Sequence, residues 1–359
     1  MICPAPIRGP GFINPQGVEK KMASKPLFKF LLRRFIFLLV TYIVATTIVF
    51  ILPRAIPGNP LAQLLSNLSR VAQVNPEAIR AAEKTLMKEF GIDKPLLVQY
   101  GTFVLKALRG DLGTSITYYP RKVIDLVIPV IPWTLVLLLP ATLVAWILGN
   151  ILGALAAYRR NTWIDKGVLT TSLIVSQIPY YWLGMIFIFL FGVRLGWFPT
   201  QGAYSLGTIP SLSWGFFFDA LRHYVMPFAS IVISAMGGWA IGMRVMVVYE
   251  LGSDYALFSE YLGMEDKRIF KYAFRNSLLP QITGLALSLG GILGGALITE
   301  IVFNYPGTGF LLFKALTTLD YPMIQGIFVI LIASIYLANF IVDFLYALID
   351  PRIRLGQEE

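Results

Sequence analysis

Six stretches of the chain are almost free of charged residues and long enough to cross a lipid bilayer. A helix needs about 20 apolar residues to span about 30 Å of hydrocarbon. The stretches lack the alternation of a membrane β-barrel, and an isolated strand would leave unpaired backbone groups in lipid. The pattern therefore predicts an all-α membrane protein with six transmembrane helices. They are Phe35 to Pro53, Leu126 to Tyr158, Gly167 to Val193, Tyr224 to Met243, Asn276 to Thr299, and Tyr321 to Val342.

Two of these stretches need adjusted boundaries. The second is too long for one simple crossing, and Pro129 and Pro132 indicate that its helix begins near Pro132. The sixth is expected to continue past Asp343 towards Ile349. An aromatic belt at the outer membrane surface is expected from a further set, Trp197, Trp214, Phe216, Phe217 and Phe218.

The distribution of Lys and Arg predicts the orientation. With the amino terminus inside, the four inner segments carry 17 basic residues, whereas the two short outer loops carry three. Basic side chains stay on the cytoplasmic side, so both termini are predicted to be cytoplasmic. The outer segment Arg54 to Asp125 carries ten more, but loops longer than about 60 residues do not obey this rule.

These boundaries give a predicted organisation in five parts. They are a flexible extension at 1–24, a first transmembrane helix at 25–53, an extracytoplasmic subdomain at 54–128, a transmembrane domain at 129–350 with a long cytoplasmic loop at 250–279, and a cytoplasmic tail at 351–359. The extension differs in composition from the rest, and it is interpreted either as a flexible segment or as the result of an upstream start codon, with translation then expected from Met22. It is not expected to be a cleavable signal peptide, because the basic lead-in enters a full-length span without a small-residue cleavage site.

Composition excludes several classes of protein. The chain is 56% hydrophobic and 14% charged, with a mean hydropathy of +0.68, which argues against a water-soluble enzyme. The net charge is +10, and the charged residues lie between apolar runs, which favours lipid over nucleic acid as the partner. One cysteine, Cys3, and one histidine, His223, exclude intrachain disulfides and a structural zinc cluster. A lone imidazole is a poor metal ligand, so His223 is interpreted as part of an interfacial turn.

The outer subdomain is predicted to contain an amphipathic helix. Asn75-Pro76-Glu77 is typical of a helix start, and Gly91 of a helix end. Arg80, Lys84 and Lys88 form a basic stripe on one side of this helix. The stripe is interpreted either as a solvated face or as a docking face for a soluble partner.

Sequence motifs for independent energy coupling are missing. The chain has no phosphate-binding G-x-x-x-x-G-K-[ST] motif, so it cannot hydrolyse ATP alone. The predicted spans have no Asp, Glu, Lys or Arg near their centres, which argues against an ion-coupled carrier. Glycines at 284, 290, 291, 294 and 295, and the aromatic run Tyr180-Tyr181-Trp182, could line a translocation path, but helix packing is the favoured interpretation.

The cytoplasmic loop between the fourth and fifth spans reads as two short helices. The first is capped by Ser253 or Asp254 and ends at Gly263, with apolar residues at helical spacing. The second follows Glu265-Asp266 and carries a basic stripe, with Arg268, Lys271 and Arg275. Spacing alone leaves two interpretations open, a partner-binding elbow and a simple interfacial helix.

This loop resembles the signature loop of ATP-binding-cassette importer permeases. Gly263 matches the family's glycine, Ser259 a small position, and Leu279-Pro280 the ending, while Phe258 stands where a small residue is usual. The rest resembles the first, B-type, membrane subunit of the dipeptide, oligopeptide and nickel branch. The matching stretches include Pro57-Gly58-Asn59-Pro60, Gly110-Asp111-Leu112-Gly113, Leu195-Gly196-Trp197-Phe198-Pro199, Tyr305-Pro306-Gly307-Thr308-Gly309 and Asp350-Pro351-Arg352.

The resemblance implies a non-enzymatic permease subunit with the type I importer fold in the cytoplasmic membrane of a bacterium or archaeon. Implied partners are a homologous second permease, two ATPase subunits that carry ATP and Mg, and an extracytoplasmic solute-binding protein, and no cofactor is expected on this chain. The residues expected to couple to the ATPases are Tyr255, Phe258, Ser259, Glu260 and Gly263. The cargo is expected to be a peptide, with an oligosaccharide or a nickel chelate as alternatives.

Two other functions remain as alternatives at this point. A secondary transporter or channel would work without partners and would move its substrate in liposomes that contain only this chain. A membrane anchor for a signalling complex would bind a cytoplasmic partner without moving anything. The absence of charged residues near the centres of the predicted spans disfavours the transporter or channel. The loop of two short helices, interrupted at Gly263 and ending at Leu279-Pro280, disfavours the membrane anchor.

Overall fold

A computed structural model of the chain describes residues 25–55, 61, 65, 84–88, 90–292 and 297–349. These residues are mostly helical and form no β-strand, apart from one isolated bridge between Thr114 and Lys122. Several predicted features lie outside the described residues, namely the extension 1–24 with Met22, the helix start at Asn75-Pro76-Glu77, Arg80, Gly294, Gly295 and the tail 351–359.

We number the named helices of the described residues α1 to α12. They are α1 Lys25–Ala55, α2 Leu96–Leu108, α3 Val123–Val127, α4 Ile131–Tyr158, α5 Trp163–Gln177, α6 Tyr180–Phe187, α7 Trp214–Leu251, α8 Asp254–Tyr261, α9 Asp266–Gly290, α10 Leu297–Val302, α11 Thr308–Thr317 and α12 Tyr321–Ile349. A π-helical segment, Ile188–Arg194, extends α6.

Helices α4 and α7 are the central pair. Among the described residues, these two are apolar and long enough to cross a membrane, and the bent pair α5 and α6 would be a third. Gly149 and Gly153 bring the two helices together, because a Cβ at Gly149 would lie 2.5 Å from Trp239 Cβ, and one at Gly153 would lie 2.8 Å from Met243 Cβ. Small residues at such crossings allow close backbone approach in membranes.

The second and sixth predicted spans agree with the helices observed. Helix α4 begins at Ile131, with Pro132 in its first turn, as the prolines predicted. Helix α12 continues past Asp343 to Ile349. The fourth span is embedded in a longer helix, because α7 extends beyond Tyr224 and Met243 at both ends.

The third predicted span is divided between two helices. Helices α5 and α6 are bent by 89° at a break that contains Ile178 and Pro179. Proline lacks an N–H group and disfavours the helical conformation of the preceding residue. Ile178 is accordingly extended, with φ −82° and ψ 117°.

The fifth predicted span also has different bounds. The predicted second loop helix does not end at Leu279-Pro280, because α9 begins at Asp266 and runs through Pro280 to Gly290. The next named helix among the described residues is α10. The loop and the span therefore form one continuous helix, which can carry a displacement from its first turn directly into the apolar region.

Buried apolar side chains form separate clusters. The largest joins α4 and α7 to Phe303 and Tyr305, and a second packs α3 and α11 against α12. A small cluster of Leu61, Leu86 and Ile116 lies within the segment predicted to be the outer subdomain. Residues 84–88 are helical and Gly91 has φ +64°, which agrees with the predicted end of the amphipathic helix there.

Candidate functional site

The loop between α7 and α9 is a compact elbow, which we define as residues 250–266. Ser253 occupies the N-cap position of α8, although its hydroxyl donates to Glu250 O and caps no N–H group of the helix, and Gly263 ends α8 with φ +77°. The Gly263 N–H donates to Glu260 O at 2.9 Å, and the Met264 N–H donates to Ser259 O at 3.1 Å. This is the Schellman arrangement, in which a left-handed residue satisfies the last carbonyls of a helix. A Cβ at Gly263 would meet no atom within 4 Å, so the backbone conformation, and not space, calls for glycine here.

The Glu250 carboxylate ties the elbow to both long helices. Its Oε2 accepts a hydrogen bond from the Tyr255 hydroxyl at 2.7 Å and one from Asn276 Nδ2 at 3.3 Å. Burial, and then the hydrogen bond to Glu250, raise the pKa of the Tyr255 hydroxyl, so the hydroxyl stays protonated and donates at neutral pH. The end of α7, helix α8 and the middle of α9 are therefore linked through one carboxylate.

The outward face of the elbow is apolar and uncovered. Phe258 is 63% exposed, Tyr261 87% and Leu262 69%. Three large apolar side chains at helical spacing form a patch that a partner subunit can bury. We call these three residues the elbow patch.

The five sequence-predicted coupling residues have different environments in the elbow. Phe258 and Glu260 are exposed, whereas Ser259 Oγ donates back to Tyr255 O at 2.7 Å. The prediction omitted Tyr261 and Leu262. Their spacing from Phe258, three and four positions, is the signal that identifies them as members of the same helix face.

A buried ion pair lies near the elbow and joins α5 to α7. Arg244 Nε donates to Asp165 Oδ1 at 2.6 Å, and Arg244 Nη2 donates to Asp165 Oδ2 at 2.9 Å. The Asn161 N–H adds a third hydrogen bond to Asp165 at 3.0 Å. Only 3% of Asp165 is exposed. A two-pronged pair of this kind fixes both distance and orientation between its helices.

Replacing Asp165 with asparagine should loosen this joint. The change leaves the Arg244 guanidinium partly buried without its counter-charge, which we expect to cost roughly 2 kcal/mol in the free energy of unfolding. Thermal unfolding in detergent should therefore occur at a lower temperature than for the native chain. The neighbouring Lys166→Gln exchange, on an exposed side chain, is the control and should leave the unfolding temperature unchanged. Equal unfolding temperatures for Asp165→Asn and the native chain would contradict the structural role of the pair.

A buried carboxylate lies at the opposite end of the α4–α7 pair. Glu300 is fully buried, its Oε1 accepts from Thr134 Oγ at 3.0 Å, and its Oε2 accepts from the Phe310 N–H at 3.0 Å. Thr134 Oγ in turn accepts from the Thr308 N–H at 2.8 Å. Gly307 leaves space for the carboxyl group, because a Cβ there would overlap it.

Glu300 and Thr134 together cap the start of α11. The first N–H groups of a helix lack partners within the helix, and a carboxylate there also interacts favourably with the helix dipole. The arrangement fastens α10 and α11 to α4 at the end remote from the elbow. Glu300 was not predicted as a functional residue, because it lies one position beyond the predicted end of the fifth span at Thr299.

His223 is buried within helix α7, so its interpretation as part of an interfacial turn is wrong, and its ring takes part in a hydrogen bond within that helix. Its Nδ1 lies 2.9 Å from Asp219 O, and Asp219 accepts from the Ser205 N–H at 2.7 Å and from Ser205 Oγ at 2.6 Å. In the described part of the chain, no three His, Cys, Asp or Glu side chains gather as metal ligands. The described glycine at 284 lies against Trp239, where a Cβ would be 3.1 Å from the ring, which supports a packing role.

Comparison with known protein families covers nearly the whole chain. Residues 149–355 match the family described as binding-protein-dependent transport system inner membrane component. Residues 27–137 match the N-terminal family of the same transport-system membrane components. The elbow, Glu300 and Phe310 lie within the first of these matches, and Thr134 lies within the second.

Named relatives align over most of their length. The di/tripeptide transport system permease protein DppB of Pseudomonas aeruginosa is 34% identical over 342 residues, which cover 91% of this chain and 99% of the relative. The oligopeptide transport system permease protein AppB of Bacillus subtilis is 32% identical over 309 residues, 86% of this chain and 93% of the relative. The glutathione transport system permease protein GsiC of Escherichia coli K12 is 30% identical over 329 residues, 91% and 99% respectively.

The exposed elbow and the apolar helices fit the membrane component of a transport system, which is what the matching families and relatives are named for. The ATP-hydrolysing activity of such transport systems lies on separate subunits, so the chain is not itself an enzyme. The chain belongs to the family of binding-protein-dependent transport system inner membrane components, and it is a permease subunit of an ATP-binding-cassette importer in the cytoplasmic membrane.

Proposed function

We propose that the chain is the B-type permease of a peptide importer, with six transmembrane helices and both termini in the cytoplasm. The three relatives are named for di- and tripeptides, oligopeptides and glutathione. None of these three names refers to an oligosaccharide, which supports peptide cargo over that alternative. The proposed assembly contains a second permease subunit, two ATPase subunits and an extracytoplasmic solute-binding protein.

The elbow patch is the observation that carries the proposed mechanism. Apolar side chains as exposed as Phe258 and Tyr261 are unfavourable in water and suit a partner's groove. ATPase closure would press on this patch and move α8. Because Glu250 joins α8 to α7 and α9, the movement would pass into both helices at once.

The transmitted movement would change how helices pack within the membrane. Helix α7 crosses α4 at Gly149 and Gly153, where close contact leaves little room for gradual deformation. Tightly packed contacts favour two discrete arrangements, which suits alternation between inward-open and outward-open states. Tyr255, Ser259, Glu260 and Gly263 are proposed to give the elbow its shape and contacts, and Phe258, Tyr261 and Leu262 to form the buried centre of the joint.

Removing two aromatic rings from the patch tests this proposal. In the complete complex, Phe258→Ala/Tyr261→Ala should weaken ATPase binding by about tenfold or more, because central aromatic anchors dominate interface energies. Uptake of a radiolabelled tripeptide into proteoliposomes should fall accordingly. Trp214→Ala, on an exposed aromatic residue at the other end of α7, is the control and should retain ATPase binding.

The outcome separates the proposal from the two alternatives. Native ATPase binding by the double variant would exclude the patch as the docking site. Peptide uptake by liposomes that contain only this chain and an ion gradient would instead support a secondary transporter. ATPase binding without peptide-stimulated hydrolysis would support a scaffold.

A further inference from the structure

We propose that the outer subdomain and the start of α12 form a binding site for the phosphate group of an anionic lipid. A cavity of about 390 Å³ lies between the end of α1, helix α2 and the first turns of α12. Five cationic side chains line it, and Asp111 is the one carboxylate among the lining residues. The cations are Arg54, Lys88, Lys94, Lys106 and Lys122. This site is separate from the elbow and from the Glu300 cluster.

The cations around the cavity are available for a ligand. Asp111 Oδ1 already accepts from the Gly113 N–H at 3.0 Å, and within the described parts of the chain it forms no ion pair with the four lysines. Arg54 is held in place, because its Nη1 donates to Phe50 O at 2.7 Å and its Nη2 to Gln99 Oε1 at 2.9 Å. The lining therefore carries five cationic side chains against one carboxylate, and the four lysines are exposed.

The cavity wall also contains a buried amide. Gln325 lies in the cavity wall with only 7% of its surface exposed, and its Nε2 has no hydrogen-bond partner among the described residues. A buried N–H group without a partner is unfavourable unless an acceptor reaches it. Phosphate oxygens accept from ammonium, guanidinium and amide donors alike, so a phosphate suits this lining better than a neutral solute.

Helix α2 indicates that the phosphate comes from a lipid. It lines the cavity with Gln99, Thr102 and Lys106, while Leu97, Leu105 and Leu108 are exposed on other faces. A helix with apolar residues on one side and polar residues on the other is typical of the membrane surface, where its apolar side enters the acyl boundary. The cavity would then open at headgroup depth, and the proposed topology assigns it to the outer leaflet.

Native mass spectrometry of the full-length chain, in detergent with added dioleoyl phosphatidylglycerol or dioleoyl phosphatidylcholine, tests the site. Lys94→Gln/Lys106→Gln should bind phosphatidylglycerol about tenfold or more weakly than the native chain, because two of the five cavity cations are lost. Arg109→Gln/Arg121→Gln removes the same charge from exposed positions outside the cavity and should bind within about twofold of the native chain. Phosphatidylcholine should show no difference among the three proteins.

A second variant separates the amide from bulk charge. Gln325→Leu keeps the net charge and should still weaken phosphatidylglycerol binding severalfold. If Lys94→Gln/Lys106→Gln and Arg109→Gln/Arg121→Gln weaken phosphatidylglycerol binding equally, the effect is a general attraction between a cationic surface and an anionic lipid, and the proposal is overturned. If inorganic phosphate binds at the cavity but phosphatidylglycerol does not, the ligand is not a lipid. If phosphatidylglycerol does not bind, and an acidic solute-binding protein alone protects Lys94 and Lys106 from chemical modification, the site is a protein interface. These measurements need no transport activity, so their outcome is independent of the proposed function.

Discussion

Replacing Glu300 with leucine is expected to destabilise the protein by about 3–5 kcal/mol and to abolish transport, because buried donors lose their acceptor. The Phe310 N–H and the Thr134 hydroxyl both donate to this carboxylate, and both would be left in an apolar site. Helix α11 would lose its anchor on α4. Thermal unfolding in detergent and peptide uptake by the reconstituted complex measure the two effects.

Two further variants show how much of the lost stability comes from the hydrogen bonds that Glu300 accepts. Glu300→Gln keeps the shape and one acceptor oxygen, but its amide group cannot accept from the second donor, so we expect an intermediate loss of stability. Glu265→Leu changes an exposed glutamate whose side chain caps no backbone group and should unfold at the native temperature. If Glu300→Leu unfolds no earlier than Glu265→Leu, the carboxylate does not fasten α11.

Replacing Gly263 is expected to uncouple ATP hydrolysis from uptake. Its φ of +77° costs a non-glycine residue about 1–2 kcal/mol, which would shift the elbow away from its observed turn by a factor of roughly 5–30. Gly263→Ala in the complete complex should therefore hydrolyse ATP with strongly reduced peptide uptake per ATP. The measurement is the ratio of labelled peptide transported to phosphate released in proteoliposomes.

A series of substitutions at this glycine tests the backbone explanation directly. No atom lies within 4 Å of a Cβ at Gly263, so side-chain volume should matter little. Asparagine tolerates the left-handed conformation, so Gly263→Asn should couple better than the smaller Gly263→Ala, and Gly263→Val should couple worst. Gly252→Ala is the matched control, because Gly252 has φ −90° and ordinary contacts. A ranking by volume instead of left-handed tolerance would contradict the explanation.

Local signals predicted the features that depend on nearby residues. Pro132 marked the start of α4, Gly263 marked the end of α8, and both follow from conformational limits that neighbouring residues impose. Hydrophobic runs identified the regions of α4, α7 and α12 because solvent preference is a property of each segment. The resemblance carried by the elbow then indicated the type of transport system.

Other features depend on contacts that no local pattern records. The Pro179 break was visible in the sequence, but the 89° angle between α5 and α6 was not, because a proline interrupts a helix without fixing the direction of the next one. Glu300 acquires its role only in the folded chain, where Thr134 and Phe310 donate to its two carboxylate oxygens. Thr134 lies 166 positions away in the sequence, so no local pattern connects it to Glu300. The basic cavity likewise joins residues from α1, α2 and α12, which no spacing rule would group.

Cysteine labelling of the elbow in sealed cells tests the central claim most directly. Cys3 is the only cysteine, so Cys3→Ser/Tyr261→Cys carries a single thiol at the most exposed residue of the elbow patch. In intact cells, a membrane-impermeant maleimide should not label this thiol. In permeabilised cells that lack the ATPase subunits, the maleimide should label this thiol, and in permeabilised cells that contain them the labelling should be slower. Labelling from outside intact cells would place the elbow on the wrong side of the membrane and contradict the account.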